Sequence, residues 1–306
     1  MKSLIIGVSS LVILILIISI LYYEKSFENT PHLPEDNTSS PESQDRPEDL
    51  QPTIVTDSIG YSLQNDELKI TYDNGEDWVT VPVEVDQLFS GEYNGNKMEL
   101  INDSFILTDK RATFLYGEGS YEFGYTIKLK TTLDKGATWQ ESIVYENSAG
   151  IRFRKVDFLN EEFGYVILSG DRTMSQEWST TFITNDGGKT WRETAYPGTT
   201  RLINNGGFID ENTGFLSYGV INPEEPDFYV TTDAGLSWNN ATFNIPEKYN
   251  KVFVTPEVSF KEDDHLAILL NQGPNGDYMG GKVKGKFVSF DNGLTWEFES
   301  EVASNE

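Results

Sequence analysis

The chain has 306 residues, with 23 Lys plus Arg against 49 Asp plus Glu, a net charge of −26 and no cysteine. That balance excludes a basic footprint for nucleic acid, and the missing thiols exclude disulfides, thiolate catalysis and Cys-ligated zinc or iron–sulfur centres. Two histidines, His32 and His265, cannot build a multi-histidine metal cage, whereas 26 Gly, 12 Pro and 13% aromatics predict an all-β, turn-rich fold.

Leu4 to Tyr22 is an apolar run of 19 residues, interrupted by Gly7, Ser9, Ser10 and Ser19. At about 1.5 Å per residue a helix of that length spans about 28 Å, close to the ~30 Å hydrocarbon core of a bilayer. A cleaved secretory signal would have a shorter apolar core and a small-x-small site. Tyr22-Tyr23-Glu24-Lys25 offers no such site. The sequence therefore predicts a transmembrane signal anchor over residues 4–23. Lys2 in the 1–3 stub places the N-terminus in the cytoplasm and the remaining chain outside.

Residues 24–52 contain Pro31, Pro34, Pro41, Pro47 and Pro52 and eight acids against Lys25 and Arg46. Such a stretch buries too little apolar surface to fold, and its like charges extend it. It reads as a disordered acidic spacer.

Five of the six tryptophans close the same octad, [Ser/Thr]-x-Asp-x-Gly-x-[Ser/Thr]-Trp. The copies carry Asp73, Gly75 and Trp78; Asp134, Gly136 and Trp139; Asp186, Gly188 and Trp191; Asp233, Gly235 and Trp238; and Asp291, Gly293 and Trp296. Asp77 in the first copy departs from the hydroxyl pattern. Asp opens a tight turn by accepting backbone N–H groups, Gly supplies a positive φ, and Trp covers the turn with apolar surface. The carboxylates are thereby assigned to structure. A second repeat aligns Phe158 to Tyr165 with Phe208 to Phe215, with weaker copies from Phe260 to Ala267 and Leu107 to Phe114. Trp-to-Trp intervals of 61, 52, 47 and 58 residues suit units of four short strands, the octad joining the last two. Units of this kind bury their faces on one another around an axis.

The octad is similar to the Asp box, or bacterial neuraminidase repeat. Residues 54–300 resemble Asp-box β-propellers, a group that includes sialidases, sortilin ectodomains and photosystem II assembly-factor propellers. The resemblance implies a five-bladed propeller over residues 53–301 with a short tail to 306, or six blades if Val81 to Met98 adds strands. It also implies that the boxes lie at outer turns, away from the central pocket. Fold by itself carries no function.

The sialidase pattern requires an arginine triad for the substrate carboxylate, with a Tyr–Glu pair and an Asp. Available arginines outside the spacer are Arg111, Arg152, Arg154, Arg172, Arg192 and Arg201, none of them in the last two units. The Phe-Arg-Ile-Pro signature is missing, Arg152-Phe153-Arg154-Lys155 being the nearest stretch. Sortilins carry a cysteine-rich module and the photosystem factors an arginine patch, and this chain has neither. Another glycoside hydrolase needs two facing carboxylates. The clusters Glu161-Glu162, Glu224-Glu225 and Glu262-Asp263-Asp264 fall in expected loops and read as solvated surface.

Asp73-Asn-Gly75-Glu-Asp77 lacks the closing Glu and helical frame of a calcium loop. No metal, no cofactor and no catalytic residue is expected, and His265 reads as a surface histidine at a strand start. Two residues stand out as candidate binding contacts: Trp178, at the end of an insertion from Ser169 and equally suited to packing against the neighbouring blade, and Tyr278, in the Gly-rich loop Asn271 to Gly281.

The sequence thus describes an anchored, extracellular module that binds a protein or glycan at a bacterial cell surface without catalysis, a glycoside hydrolase being the alternative. Absence of cysteine from an exported chain points to a monoderm bacterium. Deleting residues 1–23 should shift the protein from the carbonate-resistant membrane fraction to the soluble fraction on immunoblots. Retention of the truncated chain in membranes overturns the anchor.

Overall fold

The computed structural model describes residues 50–274 and 276–304 and is all-β. The stub, the anchor over 4–23, nearly all of the spacer and the last two residues of the tail lie outside the described residues. Among the described residues, no helix is long and apolar enough to cross a membrane.

Five sheets follow one another along the chain. The first holds β1 (Thr53–Thr56), β2 (Ile59–Ser62), β3 (Glu67–Thr71) and β4 (Val79–Glu84). The second holds β5 (Phe105–Leu107), β6 (Ala112–Ser120), β7 (Gly124–Thr132) and β8 (Gln140–Ser148). The third holds β9 (Phe153–Phe158), β10 (Gly164–Thr173), β11 (Gln176–Thr184) and β12 (Arg192–Glu193). The fourth holds β13 (Ile203–Phe208), β14 (Gly214–Tyr218), β15 (Asp227–Thr231) and β16 (Asn239–Asn240). The fifth combines β17 (Thr242–Asn244), β18 (Phe253–Pro256), β19 (Phe260–Glu262), β20 (His265–Gln272), β21 (Val283–Ser289) and β22 (Thr295–Ala303).

Each of the first four sheets is an antiparallel meander of four strands in chain order, an arrangement consistent with propeller blades. In the fifth, β17 adds to the outer edge in parallel, Phe243 opposite Trp296. The chain leaving the fourth sheet thereby ties the next one down. The segment from Val81 to Met98 adds no further sheet. Val81 to Glu84 complete β4, Val85–Leu88 is one helical turn, and no strand precedes β5.

Period-two alternation decides which way each strand faces. In β7, Tyr125, Ile127 and Leu129 point into the seam with the third sheet, while Lys128 and Lys130 point back toward Glu141. In β10 both faces are apolar: Val166 and Leu168 enter one seam, Tyr165 and Ile167 the next. Four buried clusters result, one for each pair of consecutive sheets. Among the described residues, no such cluster joins the fifth sheet to the first, although the repeat led us to expect apolar closure. The physical reason lies in the strands concerned. β1 is exposed along its length, Lys69 of β3 pairs with Glu67, and Lys284 and Lys286 of β21 pair with Glu257 and with Glu262 and Glu299.

The octads join the third and fourth strands of every sheet, or β21 and β22 in the fifth. In each, the leading hydroxyl donates to the Asp Oδ1 at 2.7–2.8 Å and accepts the glycine N–H at 2.8–3.0 Å. The same Oδ1 accepts the N–H of the seventh residue. Thr138, Thr190 and Ser237 add a hydroxyl bond to the other carboxylate oxygen at 2.6 Å, which Asp77 cannot make. The left-handed conformation extends over two residues rather than the glycine alone. Asn74, Lys135, Gly187, Ala234 and Asn292 all have φ between 56° and 78°.

The second repeat supplies the partner turn. Asn160 Oδ1 accepts the N–H groups of Glu162 and Phe163, and Asp210 Oδ1 those of Asn212 and Thr213. Carbonyls of Glu162 and Asn212 then accept N–H groups from Gly187 and Ala234 at 2.8 and 2.9 Å, docking each octad on the first hairpin of its own sheet. Trp139, Trp191, Trp238 and Trp296 pack into the four seams in turn. Trp78 has no such seam, and a Cβ on its box glycine Gly75 would meet Pro52.

Lys135 and Ala234 occupy a region that costs a side-chain residue about 1 kcal/mol, so Lys135→Gly and Ala234→Gly should each raise urea-unfolding stability by about that amount. Gly136→Ala should lower it, since the new Cβ would lie 2.5 Å from Val79 Cγ1 at φ +89°. Bonds from the Thr138 hydroxyl, then the Thr138 N–H and the Thr132 hydroxyl, hold Asp134 down at about 2. A depressed folded value contributes stability above the unfolded one and loses it as pH falls through about 4 toward 2. Asp134→Asn should therefore flatten the acid limb of a stability–pH curve in that window; an unchanged slope contradicts the assignment.

Candidate functional site

Arginine is the first test of carboxylate-directed chemistry, because its fork binds anions two bonds at a time. All six described arginines hydrogen-bond to other groups of the chain, though Arg172, Arg192 and Arg201 are exposed. Arg111 donates to the carbonyls of Glu161 and Gly187 and stacks 3.7 Å over the Phe158 ring. Arg152 forks onto Glu177 and donates to the Ile203 carbonyl at 2.8 Å, while Ile203 N–H returns a bond to Glu177 at 2.7 Å. Arg154 is buried, holds the carbonyls of Leu88 and Ser90, and is lowered by that burial to about 10. Arg172, Arg192 and Arg201 bond Met174 O, Ala234 O and Asp227 respectively. No converging triad forms from these residues.

The first strands of the second and third sheets border a pocket of about 580 Å³, lined by Val55, Asn102, Asp103, Phe105, Lys155 and Asp157. Two carboxylates share it, as a hydrolase requires, but Asp157 is committed to the fold. Its Oδ1 accepts the Phe158 N–H at 2.8 Å and its Oδ2 the Tyr165 hydroxyl at 3.2 Å. Burial pushes the Tyr165 phenol upward, so it remains a donor to that oxygen. Elsewhere, burial also raises the Asp227 carboxyl, opposed by Arg201. That raised acid sits in an ion pair at 2.8 Å, with Glu225 nearby adding to the rise.

Both ends of the sheets expose apolar side chains, the box end through Leu133, Leu236, Phe290 and Leu294. Because the strands are antiparallel, octads and first hairpins share one end and second-to-third turns occupy the other. At that second end four turns expose large apolar side chains: Tyr121 and Phe123 after β6, Met174 after β10, Val220 and Ile221 after β14, and Met279 after β20. Phe123 is 82% exposed and Met174 90%. Long strands carry the first two tips, nine residues in β6 and β7 and ten in β10.

Residues 182–193, which end β11, cross the third octad and enter β12, match the model of the BNR/Asp-box repeat. The chain carries Asp-box repeats. In structure it is similar to a protein of unknown function from Dyadobacter fermentans DSM 18053, at 14% identity and a TM-score of 0.42, covering 65% of this chain and 70% of that one. It is also similar to the GH74 xyloglucanase from Xanthomonas campestris (16%, TM-score 0.40), covering 76% of this chain and 34% of that one. A third likeness is to the GH43_1 enzyme from Xanthomonas citri (8%, TM-score 0.35), covering 65% of this chain and 72% of that one. No curated protein matches the sequence. Such likenesses transfer no chemistry.

The Asp-box carboxylates serve turns, as the octad pattern implied. Trp178 differs from the expectation of a loop. It lies within β11 opposite Gly170 and stacks on Tyr145 at 5.4 Å in the seam between the second and third sheets. Tyr278 begins a short helical turn, donates to Glu301 at 2.9 Å and lines a pocket of about 300 Å³ with Glu224, Lys251 and Gln272. His265 starts β20 and rests on Phe290 at 5.1 Å. The acid clusters lie in or beside turns, as read. Sequence reasoning passed over Tyr121 and Phe123, although two aromatics flanking Glu122 between Ser120 and Gly124 mark an aromatic turn.

Glu177 is 3% exposed, so removing it strands the Arg152 guanidinium in the seam. Breaking a buried pair from one side costs about 3–5 kcal/mol; Arg152 is partly open to water, so Glu177→Ala should fall near the lower figure in urea unfolding. A loss within error would show the pair to be idle.

Proposed function

We propose that the chain is a five-bladed Asp-box propeller, held outside the membrane by residues 4–23, that binds a surface protein without catalysis through its second-to-third turns. One observation carries the reading: four of these turns expose Tyr121, Phe123, Met174, Ile221 and Met279 at the end away from the latched boxes. Exposed aromatic and Met side chains on the turns of a rigid scaffold are unfavourable in water and favourable in an interface. Aromatic and Met side chains are the types enriched at interface centres. Support against a sialidase-like role comes from the arginines, each spent on an internal bond, and from Asp157, whose two oxygens are both occupied.

The test is capture from surface extracts of the source cell with the wild-type chain and with a Phe123→Ser, Met174→Ser double variant. The double variant should lose at least tenfold of the captured partner, with an unchanged melting profile. Equal capture by both chains overturns the proposal. So does hydrolysis of aryl glycosides by the wild-type chain that disappears on Asp157→Asn substitution.

A further inference from the structure

Lys155 on β9 and Asn205 on β13 meet across the seam between the third and fourth sheets. Lys155 is 9% exposed and its Nζ lies 3.0 Å from Asn205 Oδ1. Other partly covered lysines of the chain, Lys128, Lys130, Lys284 and Lys286, close ion pairs with carboxylates. Lys155 meets an amide instead. The same Oδ1 accepts the N–H of Gly206 at 2.8 Å, so two donors polarise the Asn205 carbonyl. Asp103 lines the pocket that Lys155 borders, and its backbone carbonyl accepts the Val156 N–H at 2.8 Å, which fastens it beside β9. Burial lowers the proton affinity of the Lys155 amine, with Asp103 and Asp157 opposing.

We propose that Lys155 and Asn205 form an intramolecular isopeptide bond, which joins the third sheet to the fourth covalently. Water in the pocket carries a proton from the Lys155 ammonium to Asp103, which lies outside ion-pair distance of Nζ, and the freed electron pair on Nζ attacks Asn205 Cγ. The Gly206 N–H stabilises the oxyanion of the tetrahedral intermediate. Protonated Asp103 returns its proton through the same water to the Asn205 amide nitrogen, the Cγ–Nδ2 bond breaks and ammonia leaves to solvent. The surplus proton left on Nζ returns through Asp103 to water. One C–N bond forms and one breaks, nothing is oxidised, and no co-reactant is needed. Asp103 is assigned the relay because both oxygens of Asp157 are already bonded. In a chain without cysteine this would be a covalent tie where no disulfide can form.

Mass spectrometry of the purified full-length chain decides the matter. Expected is an intact mass lower by about 17 Da, the loss of one ammonia, and a branched proteolytic peptide joining the segments that carry Lys155 and Asn205. Asn205-Gly206 could lose ammonia by closing to a succinimide, which hydroxylamine cleaves; the isopeptide survives that treatment. Lys155→Arg should abolish the branched peptide. Asp103→Asn should reduce its fraction at least tenfold, with far-ultraviolet circular dichroism confirming that the variant remains folded. Separate unmodified peptides bearing Lys155 and Asn205 in the wild-type digest, or a mass loss accompanied by hydroxylamine cleavage at Asn205-Gly206, would overturn the proposal.

Discussion

The structure depends on one interaction, the latch between a hydroxyl, an aspartate and a glycine N–H. A strand ending in Thr or Ser must reverse within four residues, two of them left-handed, and still leave Trp facing the neighbouring sheet. The carboxylate makes this possible by accepting bonds from both sides of the turn, which offsets the cost of the left-handed pair. Once the latch forms, the position of the Trp ring follows. Trp296, the most buried of the five, sits among Phe215, Phe228 and Phe243, rings from the fourth sheet and the strand that leaves it. The latch therefore shapes a hairpin and also sets the spacing between sheets.

A second constraint follows from stacking. Sheets two, three and four have neighbours on both faces, and β10 shows the result, with apolar residues at successive positions where a one-sided strand would alternate. The first and fifth sheets each carry lysines on the face that meets no buried cluster. Hydrophobic burial thus organises the chain as a succession of seams, the last of them crossed by β17 as it pairs with β22.

Latching one end of the sheets leaves the other end free to vary. At the box end, backbone groups are spent on octads and first hairpins, and Arg111 and Arg192 reinforce the box turns from the preceding sheets. At the opposite end the turns differ in length and composition, from the tight Ser120 to Gly124 reversal to the Gly-rich excursion before β21. Chemical variety there does not disturb the seams, which is why binding groups are sought at that end.

The octads, their place between third and fourth strands, the second repeat upstream of them, and the structural use of the box aspartates were all legible in the sequence. Each rests on a local pattern, in which a residue bonds its own turn within a few positions. What only the tertiary structure decided depends on contacts between residues far apart in the chain. Trp178 read as a loop residue because its flanks are polar, yet Tyr145 of the neighbouring sheet receives it. Val81 to Met98 looked long enough for strands of a sixth unit, but it completes β4 and continues as a helical turn and loops leading to β5. The meeting of Lys155 with Asn205 is 50 residues removed along the chain, and no local spacing announces it. Turn chemistry acts over a few bonds and is written in order; seam chemistry acts through space, and only folding brings its members together.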